Sequence, residues 1–230
     1  MHSYDLFDKF SSILLEVHER FDVDHFVVAL SGGLDSMVLV DLVDRYFGSG
    51  SDSYSIVHVD HGLNVSSKSW ARHCAVIGES LGKVCEVVKL DPSGLKPDGV
   101  EAWARKSRYA SLEKFVGLGC CLLTAHHNED QAETILKHAL EGAGPYGLKA
   151  MSHVRRFYKG YLARPLLAVS HREVISYAHS RNLEWIEDPS NTDEKFLRNR
   201  IRKTVLPVLK SVIPNAISGL LKMAELQGEL

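Results

Sequence analysis

The segment TAHHNEDQAETIL carries two acids, Asp130 and Glu133, three residues apart where helical spacing begins. Residues at i and i+3 share one face of a helix. Such a carboxylate pair beside the end of a strand can hold a cationic amine and help deprotonate it for attack. The spacing alone favours a plainer arrangement, two solvated acids with Lys137 paired to Glu133 at i+4. A second constellation, Ser31-Gly32-Gly33-Leu34-Asp35-Ser36, directly follows the apolar run FVVAL. Paired glycines let backbone N–H groups approach an anion, and the hydroxyls of Ser31 and Ser36 add donors. The lysine of GxxxxGK[ST] is absent, and so is the spacing of GxGxxG. Asp35 would repel a phosphate chain unless a cation stood between them. Mg2+ bridging Asp35 and phosphate oxygens is the expected resolution. The competing explanation is a tight turn that opens a helix with an ordinary acidic first turn.

Arg105 and Arg108 fall about one turn apart on a predicted helix and suit a phosphate or adenylate, with pairing to Glu101 as the alternative. His126 and His127 precede the helix of Asp130, where a neutral imidazole can hydrogen-bond a phosphate or ribose. In HVDHG, His58, Val59 and Asp60 are candidates for nucleotide contact at a strand end. His61 is a weaker one, and Val59 is equally well placed as sheet core. Lys195, Arg198, Arg200, Arg202, Lys203 and Lys210 form a basic stretch with no acid between its ends. Arg155, Arg156, Lys159 and Arg164 form another. Each is either a solvated face or a phosphate footprint that the net charge of −2 conceals. The glycine-rich GAGPYGLKAM either closes over reactants or merely connects elements.

These residues need a frame, and the apolar pattern supplies one. Strand-length apolar runs at 26–30, 54–60, 83–90 and 120–125 alternate with helical spacing over 37–46, 68–81, 100–116 and 129–140. That alternation predicts parallel βαβ units, an α/β fold with a twisted parallel sheet and helices on both faces. In such sheets ligands bind at the carboxyl ends of strands, where the candidate loops fall. A first helix is expected over 5–20, and YLARPLL suggests a further strand and turn. Ser170 with Glu173 predicts a capping box opening a helix to about 180, and a basic helix is expected from Phe196 to Leu209. A chain of 230 residues suits one domain with an appendage: an α/β domain over 1–185 and a helical basic extension over 186–230. No apolar stretch has membrane-spanning length and the N-terminus lacks signal-peptide order, so a cytoplasmic protein with no membrane partner is expected. Cys74, Cys85, Cys120 and Cys121 lack metal-ligand spacing and are expected as reduced thiols. Oligomeric state is left open, a homodimer included.

SGGLDS after an apolar strand resembles the SGGxDS signature of the PP-loop ATP pyrophosphatases. HVDHGLN, EAWARKSRYASLEKF, TAHHNEDQAETIL, GAGPYGLKAM, ARPLL and EDPSNTDEKFLRNRIR follow in order, and together they resemble the tRNA(Ile)-lysidine synthetases over about residues 26–207. The resemblance implies an adenine nucleotide alpha-hydrolase-like fold and a reaction in two steps. ATP adenylates the C2 oxygen of the wobble cytidine, and the side-chain amine of lysine then displaces AMP from C2. It implies ATP and Mg2+ as cofactors, with free L-lysine and a CAU-anticodon tRNA(Ile) as partners. It places Ala29, Ser31, Gly32, Gly33, Leu34, Asp35, Ser36, His58, Val59, Asp60 and Arg105 at the nucleotide, with Asp35 on the metal. It reverses the preference at Asp130 and Glu133 toward lysine binding and catalysis. Arg108 and His126 join the catalytic groups through RYxxL and HxxxDQ, while Arg198, Arg200 and Arg202 are assigned to the tRNA. Bacterial members often carry further C-terminal domains that grip the acceptor arm; residues 186–230 are expected to begin such a region or to be a minimal extension. The nearest alternative, a tRNA 2-thiocytidine synthetase, is opposed by the absence of CxxC.

Overall fold

Val27 and Val28 alternate across the first strand, and each begins one half of the core. In a computed structural model describing residues 6–95, 99–189, 193, 195 and 197–229, that strand is β1 (His25–Ala29). It lies inside a sheet completed by β2 (Tyr54–Asp60), β3 (Cys85–Lys89), β4 (Cys120–Leu123), β5 (Val154–Phe157) and β6 (Gly160–Ala163). Strand order is β3-β2-β1-β4-β6-β5. All neighbours pair in parallel except β5, which runs antiparallel to β6 at the edge. The parallel α/β expectation therefore holds. The order reverses beside β1, so the loops after β1 and β4 open a crevice at the carboxyl edge.

On one face, Phe26 and Val28 pack with Phe10 and Leu14 of α1 (Leu6–Phe21), Leu39 and Leu42 of α2 (Leu34–Phe47), Cys74 of α3 (Ser67–Ser80) and Val174 of α7 (His171–Ser180). On the other, Val27, Val57, Leu122 and Leu162 pack with Leu112 of α4 (Val100–Leu112). A third cluster joins Ala132 of α5 (Asn128–Leu140) to Ile201 and Leu206, with Ile217 and Leu220 against them. It docks the C-terminal helices α8 (Leu197–Arg200), α9 (Leu206–Val212) and α10 (Ala216–Glu229) onto α5. A π-helical turn, Ile201–Val205, links α8 to α9. The expected start of this basic helix at Phe196 lies outside the described residues.

Several boundaries shift for identifiable reasons. α2 begins at Leu34, ahead of the expected 37, because Leu34-Asp35-Ser36 forms its first turn. α4 ends at Leu112 and tightens into a 3-10 turn through Phe115. The capping box forms as expected: Ser170 Oγ accepts from Glu173 N (3.2 Å), and the Glu173 carboxylate accepts from Ser170 N (2.9 Å). β6 takes up the strand expected in YLARPLL, whereas its hairpin partner β5 was not anticipated, nor were α10 and the short α6 (Pro145–Leu148). Gly160 lets the hairpin press on β4, since a Cβ there would stand 2.2 Å from the Cys120 carbonyl oxygen. Among the described residues no single helix is long and apolar enough to cross a membrane.

Candidate active site

Between the end of β1 and the start of α2 the chain turns through Gly32 at φ +84°, a left-handed conformation that favours glycine. A Cβ on Gly32 would also lie 2.9 Å from Ile186 Cδ1, and Ile186 N donates to the Gly32 carbonyl (2.8 Å). Segment 185–186 is thus seated on the loop. Ser36 Oγ donates to Gly33 O (2.9 Å), accepts from Ser31 N (3.1 Å) and lies 3.0 Å from Ser31 Oγ. Gly33, the N-cap of α2, provides no side-chain cap, so first-turn N–H groups remain available to an anion.

Asp35 lies in that first turn. Its Oδ1 is buried without a hydrogen-bond partner, and the carboxyl is pushed up to about 7 by burial and by the nearby charge of Asp130. His127 Nε2 is 3.9 Å and His171 Nε2 3.7 Å from its oxygens, and the two imidazoles stack at 4.7 Å. These three groups could bracket a cation. However, His127 Nδ1 accepts from Glu129 N (3.2 Å), which leaves the proton on Nε2, so that nitrogen, 3.5 Å from Asp130 Oδ2 and 3.9 Å from Asp35 Oδ2, cannot ligate. His127, expected as a hydrogen-bond partner for a phosphate or ribose, caps α5. His171 was not anticipated, because locally it is only the first residue after an N-cap.

The solvated-acid arrangement does not form at Asp130 and Glu133. The Glu133 side chain is 1% exposed, and Lys137 pairs with Glu141 instead. Arg198 Nε and Arg202 Nε donate to Glu133 at 2.6 and 2.5 Å, and both Nη2 atoms donate to Asp130 Oδ1 at 2.9 Å. Asp130 Oδ2 also accepts from His127 N (3.0 Å). Burial opposes ionisation of Asp130, yet His127 and Arg198 hold it down to about 2. Arg198 and Arg202 share this face, whereas Arg200 is exposed. Charge at the mouth is therefore sharply divided, with Asp35 facing imidazoles and Asp130–Glu133 paired with two guanidiniums.

The PP-loop domain family matches residues 7–209. The chain belongs to the PP-loop family. It is 42% identical over 197 residues to a tRNA(Ile)-lysidine synthase of Methylococcus capsulatus, covering 86% of this chain and 45% of that protein. With its counterpart in Pseudomonas syringae it shares 43% over 205 residues, 88% of this chain and 45% of that protein. This PP-loop chain thus spans less than half the length of these curated relatives. Among solved structures, a U34-tRNA thiolase from Methanococcus maripaludis with its [4Fe-4S] cluster superposes with a TM-score of 0.70 at 16% identity, covering 98% of this chain and 80% of that one. An NH3-dependent NAD synthetase from Campylobacter jejuni gives 0.54 at 14%, covering 98% and 96%. At those identities the likeness is one of fold.

Around the PP-loop, the remaining candidates take distinct places. His58 Nδ1 donates to the Leu30 carbonyl (2.8 Å), and Asp60 Oδ1 accepts from Gly62 N (2.8 Å), so both side chains brace the strand ends. Val59 packs against the second core face, and Ala29 ends β1 beside it. His126 sits 3.0 Å from Thr124 Oγ1 and is held down to about 3 by burial, so it is neutral. Among the described residues Arg105 and Arg108 have no carboxylate within ion-pair distance, Glu101 included; burial and the cations Arg105 and Arg198 hold Arg108 below its usual range. All four cysteines are free. Cys120 and Cys121 point into opposite core faces, and burial pushes Cys74 to about 12, Cys85 to about 11 and Cys121 to about 12. Thiols so protonated make poor sulfur carriers.

Proposed function

We propose that this PP-loop chain carries out ATP-dependent lysidine formation on the wobble cytidine of a CAU-anticodon tRNA(Ile). The observation that carries the reading is the buried Asp130–Glu133 pair, whose oxygens accept two guanidinium groups within reach of a phosphate-type loop. That pair selects cationic nitrogen, the character of the lysine amine. The identity to tRNA(Ile)-lysidine synthases supports it.

In the first step the cytidine C2 oxygen attacks the α phosphorus of ATP, the α–β phosphoanhydride bond breaks and pyrophosphate leaves. Free N–H groups at the start of α2, with Ser31 and Ser36, hold the departing phosphates. Mg2+ fits here: an unpartnered Asp35 oxygen among like charges is a hard donor that a dication would satisfy, and the ion would neutralise phosphate charge. In the second step the lysine amine attacks C2, the C2–O bond breaks and AMP carries that oxygen away. The lysine ammonium takes the place that Arg198 and Arg202 hold on the Asp130–Glu133 pair, and a carboxylate of that pair receives its proton. Arg105 and Arg108, lacking acid partners, serve the adenylate phosphate, and neutral His126 can donate or accept a hydrogen bond beside it.

The test supplies ATP, Mg2+, lysine and a CAU-anticodon tRNA and reads the wobble nucleoside by mass. A lysine-sized gain is expected. Pyrophosphate release without that adduct would refute the lysidine reading.

A further inference from the structure

Arg164 is a charge in the wrong place for a structural residue. It is 3% exposed, and among the described residues no carboxylate lies within ion-pair distance. Its Nη1 donates to the Ser152 carbonyl (2.7 Å), while its buried Nε has no partner. Burying an unpaired guanidinium is costly unless an anion completes it. Tyr109 hydrogen-bonds this guanidinium, and Arg155 and Arg105 add positive charge beside it.

Pleating explains the convergence. Leu162 and Phe157 face α4, so Arg164, two residues beyond Leu162, and Arg155, two before Phe157, project to the same side. Arg164 N donates to His153 O (2.8 Å), which extends the hairpin ladder to this point. Across from it, the Arg105 guanidinium stands 5.2 Å from the Tyr109 ring, that ring 5.8 Å from Phe157, and the Arg155 guanidinium 5.3 Å from Phe157. Arg156 falls on the opposite face, over Tyr161 (4.3 Å), so the run read as one basic cluster splits in two. Alternating cations and aromatic rings suit a single strand of nucleic acid, with phosphates on the guanidiniums and bases over the rings.

We infer that the exposed Arg105 and Arg155, gathered round Tyr109 with the buried charge of Arg164 beneath them at the carboxyl end of β6, bind a phosphodiester of the RNA strand that presents the reacting nucleotide. The inference deepens the RNA-substrate reading, on which it rests. Arg105, read from sequence as a nucleotide contact, serves the RNA phosphodiester in this reading and leaves Arg108 to the adenylate.

The test measures affinity for a CAU-anticodon stem-loop and for an unrelated hairpin across a salt series, using the intact chain and its Arg155→Gln and Arg164→Gln variants. Each lost contact to single-stranded RNA should flatten the log–log salt slope by about 0.7 and weaken binding of both RNAs at low salt. Affinity for ATP, followed separately, should stay within twofold. Arg155 is exposed, so its variant tests the site even where Arg164→Gln fails to fold. An unchanged slope in Arg155→Gln, or an equal loss of ATP affinity, overturns the inference. Absence of lysidine with a flattened slope would refute the proposed reaction and leave this site standing; lysidine with an unchanged slope would do the reverse.

Discussion

Replacing Glu133 by Gln tests the centre of the site most directly. The glutamate is 1% exposed and accepts one Nε–H from Arg198 and one from Arg202, at 2.6 and 2.5 Å. Glutamine keeps one acceptor oxygen, turns an amide N–H2 toward a guanidinium and removes the charge. Each charge-assisted hydrogen bond contributes about 1.5–3 kcal/mol, and removing one partner of a fully buried pair costs about 3–5 kcal/mol. The arginines are 31% and 38% exposed, so water recovers part of that loss. About 2–3 kcal/mol is expected, which at this chain length lowers Tm by about 4–12 °C. Urea unfolding should show the midpoint falling at constant m. Combining Glu133→Gln with Arg202→Met should return a coupling of about 1–2 kcal/mol, because the two groups touch. Pyrophosphate release should survive better than lysine transfer. A Glu133→Gln protein within 0.5 kcal/mol of wild type, roughly the noise of an exposed substitution, would show that the ion cluster does not form in solution.

Asp35→Asn should separate stability from activity. Burial and Asp130 push the Asp35 carboxyl up to about 7, above its unfolded value of 3.8. The stability tied to its neutral form is therefore present below the unfolded value and lost as pH rises through about 7. Asparagine stays neutral, so unfolding midpoints should coincide near pH 4 and favour the variant by about 1–2 kcal/mol at pH 8, the figure reduced for partial exposure. Pyrophosphate release should be abolished, and a wild type more stable than the variant at pH 8 would contradict the assignment. Gly32→Ala forces a left-handed alanine against Ile186 and should cost about 1–2 kcal/mol by denaturant titration while weakening ATP binding more than tenfold by calorimetry. Ser170→Ala removes the cap of α7 and should cost about 1 kcal/mol without altering ATP affinity; no change in stability would deny the capping box its role.

What could be read from the sequence was what neighbouring residues decide. The loop after β1, the parallel alternation and the Ser170–Glu173 box are all set within a few residues, and each formed. The hairpin escaped because VRRF offers a single buried residue, Phe157, and its two arginines suit an edge strand that solvent can reach. The pairing of Asp130 and Glu133 was legible for the same local reason, their i,i+3 spacing. Their electrostatic state was not, because it is set by Arg198 and Arg202, 65 to 72 residues further on, brought over α5 by Ile201 and Leu206. His127 shows the converse: a residue whose type suggested a phosphate or ribose contact is engaged by the backbone of its own helix. Arg164 repeats the first point, since its lack of an acid partner is a property of the assembled face. Charge balance is non-local, and so the groups that decide this chemistry become visible only once the sheet has gathered them.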